Sequence, residues 1–254
     1  MALSVEGLTK RWPDGSLALQ DISFTASPGQ IVALIGPSGA GKTTLLRVIA
    51  GLEPYHEGKL DGLAGAVGMV FQQPSLWPHL TLLENVALPM QVMGGVQRVE
   101  ARWLAAASLS CWGLASRINA YPSALSGGEQ QRGAIVRTLM LKPEVLCLDE
   151  ITSALDPEIT SEILLQILEL KETETTVLLS THQLAFARKS ADLLLFMDGG
   201  RIFEQGSPAS VLDDPKEHRT RQFVTKARQL YMGFAEGSSG ASFSVSPSAF
   251  QILS

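Results

Sequence analysis

The sequence QIVALIGPSGAGKTTLLRVIAG, residues 30–51, decides the fold. Residues 30–35 form an apolar run of strand length, and residues 44–50 have the spacing of a helix that Gly51 ends. Between them, GPSGAGKT at 36–43 fits the pattern G-x-x-x-x-G-K-[ST] of a phosphate-binding loop. A chance match is the alternative, and the flanking strand and helix argue against it.

The predicted loop suits a nucleotide phosphate. It places backbone N–H groups at a helix N-terminus, where the helix dipole favours an anion and where a Cβ would block close approach. Lys42 supplies a charge for the β- and γ-phosphates, and Thr43 offers a hydroxyl to Mg²⁺. The predicted nucleotide-binding residues are Gly36, Pro37, Ser38, Gly39, Ala40, Gly41, Lys42, Thr43 and Thr44.

Composition narrows the class of protein. The chain has 254 residues, of which 45% are hydrophobic, and this suits one compact domain with or without a subdomain. A net charge of −5 argues against a general nucleic-acid binder. Two cysteines without metal-like spacing fit a reducing, cytosolic compartment. We expect no secretion signal and no membrane-spanning segment.

The strand pattern predicts an α/β fold. Most apolar runs are continuous, which is typical of strands covered on both faces. They are Ile31–Ile35, Val67–Phe71, Val145–Leu148, Thr176–Ser180 and Leu193–Met197. We therefore predict a P-loop NTPase core with a mostly parallel sheet. Residues 3–26 and 55–71 are predicted to form a small antiparallel β-subdomain beside it.

An α-helical subdomain is predicted between two strands of the core, at about residues 75–140. A capping box, Thr81 with Glu84, opens its first helix, which we expect Pro89 to disturb and Gly94-Gly95 to end. The predicted domain covers residues 1–232. The serine-rich tail, residues 233–254, is predicted to be disordered, with a short strand at residues 242–246 as the alternative.

Two acidic residues end a buried strand in EVLCLDE, residues 144–150. The strand-end Asp149 is expected to hold Mg²⁺. Glu150 is expected to point to the opposite face, where it can take a proton from the attacking water. The alternative is that the two acids mark only the start of a loop.

A second glycine-rich helix start occurs in LSGGEQQR, residues 125–132. Ser126 and Glu129 form a capping box for a helix running to about Leu141. Such an N-terminus, with its hydroxyl, can offer a second anion contact. From the residues alone, an ordinary capped helix is the simpler interpretation.

LSGGEQQR also resembles the signature motif of ABC-type ATPases, and further marks of that family occur in the expected order. Gln72 resembles the Q-loop glutamine, Ser153–Asp156 resembles the D-loop, and His182 resembles the switch histidine. Trp12 lies where the family places an aromatic ring on adenine. The simpler alternatives are a loop glutamine, a turn histidine, a packed tryptophan and a helix cap at Asp156.

The resemblance, over about residues 3–228, implies an ATPase that works as a head-to-tail homodimer sandwiching ATP. Ser126, Gly127 and Gly128 of one subunit would then close over the nucleotide of the other, and Asp156 would cross the dimer. The implied catalytic residues are Glu150, which would act on the attacking water, and His182 and Lys42, which would contact the phosphates. Gln72 would also be catalytic and, with Thr43 and Asp149, would bind Mg²⁺. Two positions depart from the family: Ile151 replaces a usual proline, and Gly51–Met69 is short.

The resemblance also implies partners and a location. No pore-forming segment is predicted, so an integral membrane permease is expected, with this chain peripheral on the cytoplasmic face of the membrane. Residues 74–78, with Leu76 and Trp77, are expected to offer it apolar surface, or Trp77 packs internally.

The class of transported solute is inferred from weaker resemblances at residues 69–73, 204–208, 214–216 and 219–223. These stretches resemble ATPases of polar amino-acid importers, which implies uptake and, indirectly, a solute-binding protein. The alternatives are an exporter or lipoprotein-release ATPase, and a soluble ABC ATPase acting on nucleic acid or ribosomes. The acidic charge and the lack of heptads disfavour the last, and we expect no nucleic-acid partner.

Overall fold

The computed structural model describes residues 2–153 and 155–232, so the predicted tail lies outside the described residues. The strands are β1 Leu3–Arg11, β2 Leu17–Ala26, β3 Ile31–Ile35, β4 Glu57–Asp61, β5 Val67–Val70, β6 Val145–Asp149, β7 Thr176–Ser180, β8 Leu193–Asp198 and β9 Arg201–Gly206. The helices are α1 Lys42–Ile49, α2 Leu82–Val92, α3 Arg98–Cys111, α4 Gly127–Leu139, α5 Pro157–Glu169, α6 Leu184–Ser190, α7 Pro208–Asp213 and α8 His218–Met232.

The main sheet confirms the predicted mostly parallel core. Its strand order is β5-β6-β7-β3-β8-β9, and only the β8–β9 pair is antiparallel. Every residue of β3, β6 and β7 is buried, as continuous apolar runs predict. Because these strands are parallel, their carboxyl ends meet at one edge, and the loops that carry the predicted site leave from that edge.

The small antiparallel sheet has the order β2-β1-β4. The prediction that all of residues 55–71 belong to it is wrong for β5, which pairs in parallel with β6 through Val67 and Val145. Residues 55–71 therefore contribute β4 to the small sheet and β5 to the main sheet. Strand β9 was not predicted because its polar sequence RIFEQG at an edge lacks the apolar run of a buried strand.

The helical subdomain lies between β5 and β6 and contains α2, α3 and α4. Both predicted capping boxes form, at Thr81 for α2 and at Ser126 for α4. Pro89 does not end α2, which continues to Val92. Proline removes one N–H donor, but Val86, Pro89 and Met90 are buried, so packing of this face holds the helix together.

The loop before α2 is fastened to two helices. Asn85 is fully buried, and its Nδ2 donates to the carbonyl oxygens of Trp77, Leu80 and Thr81 at 3.1 Å, while its Oδ1 accepts from Trp77 N–H at 2.7 Å. Arg137 of α4 donates to the Ser75 carbonyl at 2.7 Å and lies 4.8 Å from the Trp77 ring centroid. Residues 75–81 therefore belong to one packed unit with α2 and α4.

No helix in residues 2–153 or 155–232 combines the length and apolar character that crossing a bilayer requires.

Candidate nucleotide-binding and catalytic site

A cavity of about 530 Å³ opens where the main sheet meets the small sheet. Its walls come from Trp12 and residues 16–18 of the small sheet, residues 38–44 of the phosphate loop, Glu150, and the turn Gly199-Gly200. This volume lies within the range of small-molecule and cofactor sites. The loop and the aromatic ring thus share one cavity.

Two glycines of the loop are required by the fold. Gly36 has φ 146°, and a Cβ there would lie 2.0 Å from the Met197 carbonyl oxygen. Gly41 has φ 100°, and its Cβ would lie 2.9 Å from the Ala18 carbonyl oxygen. Side chains at either position would separate the loop from β8 and the small sheet.

Lys42 is the buried cation of the cavity, with its side chain 4% exposed. Its Nζ donates to the carbonyl oxygens of Gly36 at 2.9 Å and Pro37 at 3.1 Å. It also lies 3.9 Å from Glu150 Oε1. Burial lowers the pKa of Lys42, and the charges of Glu150 and Asp149 oppose that shift. A phosphate is a stronger acceptor for this ammonium than the two carbonyls.

Asp149 ends β6 with its carboxylate buried and 5% of the residue exposed. Its Oδ1 accepts hydrogen bonds from Thr43 Oγ1 at 3.0 Å and Ser180 Oγ at 2.7 Å. A carboxylate beside a hydroxyl is a donor set that fits Mg²⁺, which takes one or two carboxylates and completes its shell with phosphates and water. Within the described residues, no group of three or more His, Cys, Asp or Glu could hold a metal alone.

Glu150 does not follow the strand alternation that we expected. Its φ of +46° is left-handed, a conformation that costs a residue about 1–2 kcal/mol. Its N–H donates to Ser180 Oγ at 2.9 Å, and its Oε1 lies 2.6 Å from His182 Nε2. The turn thus brings Glu150 to His182 and to the cavity. Ile151, 2% exposed, anchors the turn by packing where proline was expected.

Trp12 is 39% exposed at the cavity, so its ring is available to a base. Lys10 Nζ also lies 4.8 Å from the ring centroid, which is a cation–π contact. Lys10 is 2% exposed and bonds Glu53 Oε2 at 3.0 Å and the Pro54 carbonyl at 2.8 Å. Lys10 was missed from the sequence, because Trp12 lies just beyond the end of β1 and strand alternation alone does not place the two side chains together.

The signature segment lies apart from the cavity walls. Ser126 N–H donates to Glu129 Oε2 at 2.7 Å, Glu129 N–H donates to Ser126 Oγ at 3.2 Å, and Arg117 pairs with Glu129 at 2.9 Å. Ser126 and Gly127 are exposed. Gly128 is buried, and a Cβ there would lie 2.6 Å from Ile159 Cγ2. The α4 N-terminus therefore faces solvent in the single chain.

Gln72 and Asp156 also lie outside the cavity walls. Gln72 Nε2 donates to Ser153 Oγ at 3.0 Å, which joins the Q-loop to the D-loop. Asp156 is exposed at the N-cap position of α5. Asp156 thus occupies the expected N-cap position, but within the described ranges its side chain makes no capping hydrogen bond.

The comparisons with known proteins agree with this geometry. The family model described as ABC transporter matches residues 19–153. The chain is 42% identical to the L-cystine transport system ATP-binding protein TcyN of Escherichia coli (strain K12), over 89% of this chain and 98% of that protein. It is 44% identical to the glutamine transport ATP-binding protein GlnQ of the same organism, over 81% of this chain and 92% of that protein.

A solved structure extends the match to the fold. The structure is the dimeric post-hydrolysis state of the ATP-binding cassette MJ0796 bound to ADP and Pi, which is 30% identical with a TM-score of 0.73. The match covers 81% of this chain and 98% of that one. The P-loop core and its two subdomains are thereby confirmed. The chain therefore belongs to the ABC transporter family, as one of its ATP-binding and ATP-hydrolysing members.

Proposed function

We propose that this chain is the ATP-hydrolysing subunit of a transporter that takes up polar amino acids through a separate permease. One observation carries the proposal: nearly the whole chain is similar to ATP-binding proteins named for cystine, glutamine, and glutamate/aspartate transport. The cavity, with Lys42 and Glu150 in its walls, supplies the chemistry that such a subunit needs.

ATP enters with its base against Trp12 and its phosphates at the N-terminus of α1. The γ-phosphate takes over the Lys42 ammonium from the Gly36 and Pro37 carbonyls. Glu150 orients the attacking water and accepts its proton, and His182, 2.6 Å from that carboxylate, contacts the γ-phosphate. Thr43, Asp149 and Gln72 would hold Mg²⁺, which supplies positive charge to the phosphates.

The second half of the site comes from another copy of the chain. Ser126 and Gly127 are exposed and Gly128 is buried at the N-terminus of α4, and the N–H groups of this turn are proposed to contact the nucleotide of a partner. Asp156 is also exposed, directly before α5, and is proposed to contact the partner copy. The dimeric state named for the MJ0796 structure supports the pairing of two copies, and the head-to-tail orientation is part of the proposal.

The permease is proposed to bind at residues 74–78, with the chain peripheral on the cytoplasmic face of the membrane. Trp77 is 37% exposed there. Leu76, expected in the same surface, is 8% exposed and packs in the core, so Trp77 carries the apolar contact. A solute-binding protein outside the membrane would deliver the amino acid, and no nucleic acid takes part.

Reconstitution tests the proposal. The chain, co-purified with the membrane permease that it captures, is placed in vesicles, and ATP-dependent entry of labelled cystine, glutamine and glutamate is measured in the presence of a solute-binding protein for each. We expect uptake that a Lys42→Ala variant abolishes. Extrusion of substrate would favour an exporter, and ATPase activity stimulated by DNA without permease binding would contradict the proposal.

A further inference from the structure

Ser180 carries a buried hydroxyl at the edge of the main sheet where the parallel strands end. It ends β7, is 0% exposed, and lies in register with Asp149 of β6 on one side and Leu34 of β3 on the other. Leu178 and Cys147, two residues earlier on β7 and β6, pack in the cluster that contains the helix α1 residues. By the two-residue period of strands, Ser180 and Asp149 share that face.

The hydroxyl of Ser180 joins two residues of the site. It donates to Asp149 Oδ1 at 2.7 Å and accepts from Glu150 N–H at 2.9 Å. One contact fixes the direction of the Asp149 carboxylate. The other supports the left-handed turn that carries Glu150 toward His182. A buried hydroxyl needs partners, and here both partners belong to the site.

Two hydroxyls, those of Ser180 and Thr43, donate to Asp149 Oδ1, and they come from different elements of the fold. Thr43 reaches Oδ1 at 3.0 Å from the first turn of α1, next to the phosphate loop. Ser180 reaches it from within the sheet, where β7 is paired on both sides. The sheet is the more rigid support, so Ser180 is suited to hold the carboxylate in place while the loop exchanges ligands.

We propose that Ser180 is a positioning residue for ATP hydrolysis, acting through the Asp149 carboxylate and the Glu150 turn. The inference rests on the proposed function. Loss of the hydroxyl leaves the Asp149 carboxylate with Thr43 as its remaining anchor, and it leaves the Glu150 N–H with the weaker bond to the Ser180 carbonyl oxygen at 3.2 Å. Residues that orient a ligand or catalytic group in this way typically matter by about 10- to 100-fold.

The test compares Ser180→Ala with Ser190→Ala in the full chain. Ser190 is an equally buried hydroxyl, but it donates to the Phe186 carbonyl at 3.0 Å in α6. We expect Ser180→Ala to lower kcat by about 10- to 100-fold, with ATP affinity in EDTA within about two-fold of wild type. The gain in nucleotide affinity on adding Mg²⁺ should shrink, and Ser180→Thr should recover most of the loss.

Ser190→Ala is expected to keep the wild-type kcat and Mg²⁺ response. The proposal is overturned if Ser180→Ala retains wild-type kcat, if its loss only matches a loss of folded protein seen equally in Ser190→Ala, or if Ser180→Thr is as slow as Ser180→Ala. Wild-type chain that hydrolyses no ATP would instead defeat the proposed function, so the two failures are distinguishable.

Discussion

The chain has two glycine-bearing helix starts, and they are built for different tasks. At α1, Gly41 is the N-cap in a left-handed conformation, and the first turn faces the cavity with Lys42 in it. At α4, Ser126 and Glu129 already use backbone donors in a capping box, and the Glu129 carboxylate adds a negative charge. The α1 start can therefore hold a triphosphate alone, whereas α4 suits an added contact to a nucleotide held elsewhere.

The largest expected effect lies on the α1 side. Glu150→Gln keeps the shape of the side chain and removes its basicity, so we expect kcat to fall by about 10²- to 10⁴-fold while ATP still binds. ATP should then hold the variant as a dimer, which size-exclusion chromatography with ATP would detect. Unchanged turnover would refute the assignment of Glu150 as the base.

The α4 side should affect turnover without affecting binding by the single chain. Ser126→Ala removes the cap, and we expect kcat to fall by about 10-fold or more and ATP-dependent dimerisation to weaken. ATP affinity measured at low protein concentration should stay at the wild-type value, in contrast to Lys42→Ala. Equal loss of affinity in both variants would abolish the distinction between the two helix starts.

Substitution of Trp12 tests whether the cavity at α1 also binds the base of ATP. Trp12→Ala should weaken ATP binding by about ten-fold, because one base–aromatic stack is worth about 1–3 kcal/mol. Trp12→Phe, which keeps an aromatic face, should recover most of that affinity in calorimetric titration. If the alanine variant bound ATP as tightly as wild type, the exposed ring would have no role in binding.

The smallest effect concerns the stability of the α4 start. The hydrogen bond from Ser126 N–H lowers the pKa of Glu129 below its usual 4.5; burial opposes this shift in part, and Arg117 adds a smaller lowering. Stability from a lowered carboxyl pKa is present above pH 4.5 and is lost as the pH falls through the folded-state pKa. Glu129→Ala should therefore lower the free energy of unfolding by about 1 kcal/mol at pH 7, and by progressively less in acid.

Glu84→Ala is the matched control, since Thr81 lowers the pKa of Glu84 in the other capping box. It should show the same pH dependence in urea unfolding and leave kcat unchanged. A pH-independent difference for Glu129→Ala would mean that its charge does not stabilise the helix.

Much of the fold and site was predictable because short-range chemistry specifies it. The phosphate loop, both capping boxes and the parallel core follow from spacing and strand pattern. The left-handed turn at Glu150 was not predictable, because nothing about a glutamate residue indicates a positive φ. Ser180 was hidden for a related reason: a hydroxyl at a strand end acquires its role only when the sheet register sets it beside Asp149.

The unit formed by residues 75–81, α2 and α4 has a mechanical consequence. Asn85 ties the Trp77 backbone to α2, and Arg137 ties Ser75 to α4, whose first turn follows Ser126. A force applied to the exposed Trp77 side chain is therefore transmitted through these hydrogen bonds and along α4 to Ser126. The distance from Arg137 to Ser126 is roughly three helical turns of 5.4 Å each. Residues 75–81, α2 and α4 thus form one mechanical unit that runs from the exposed Trp77 side chain to the exposed N-terminus of α4.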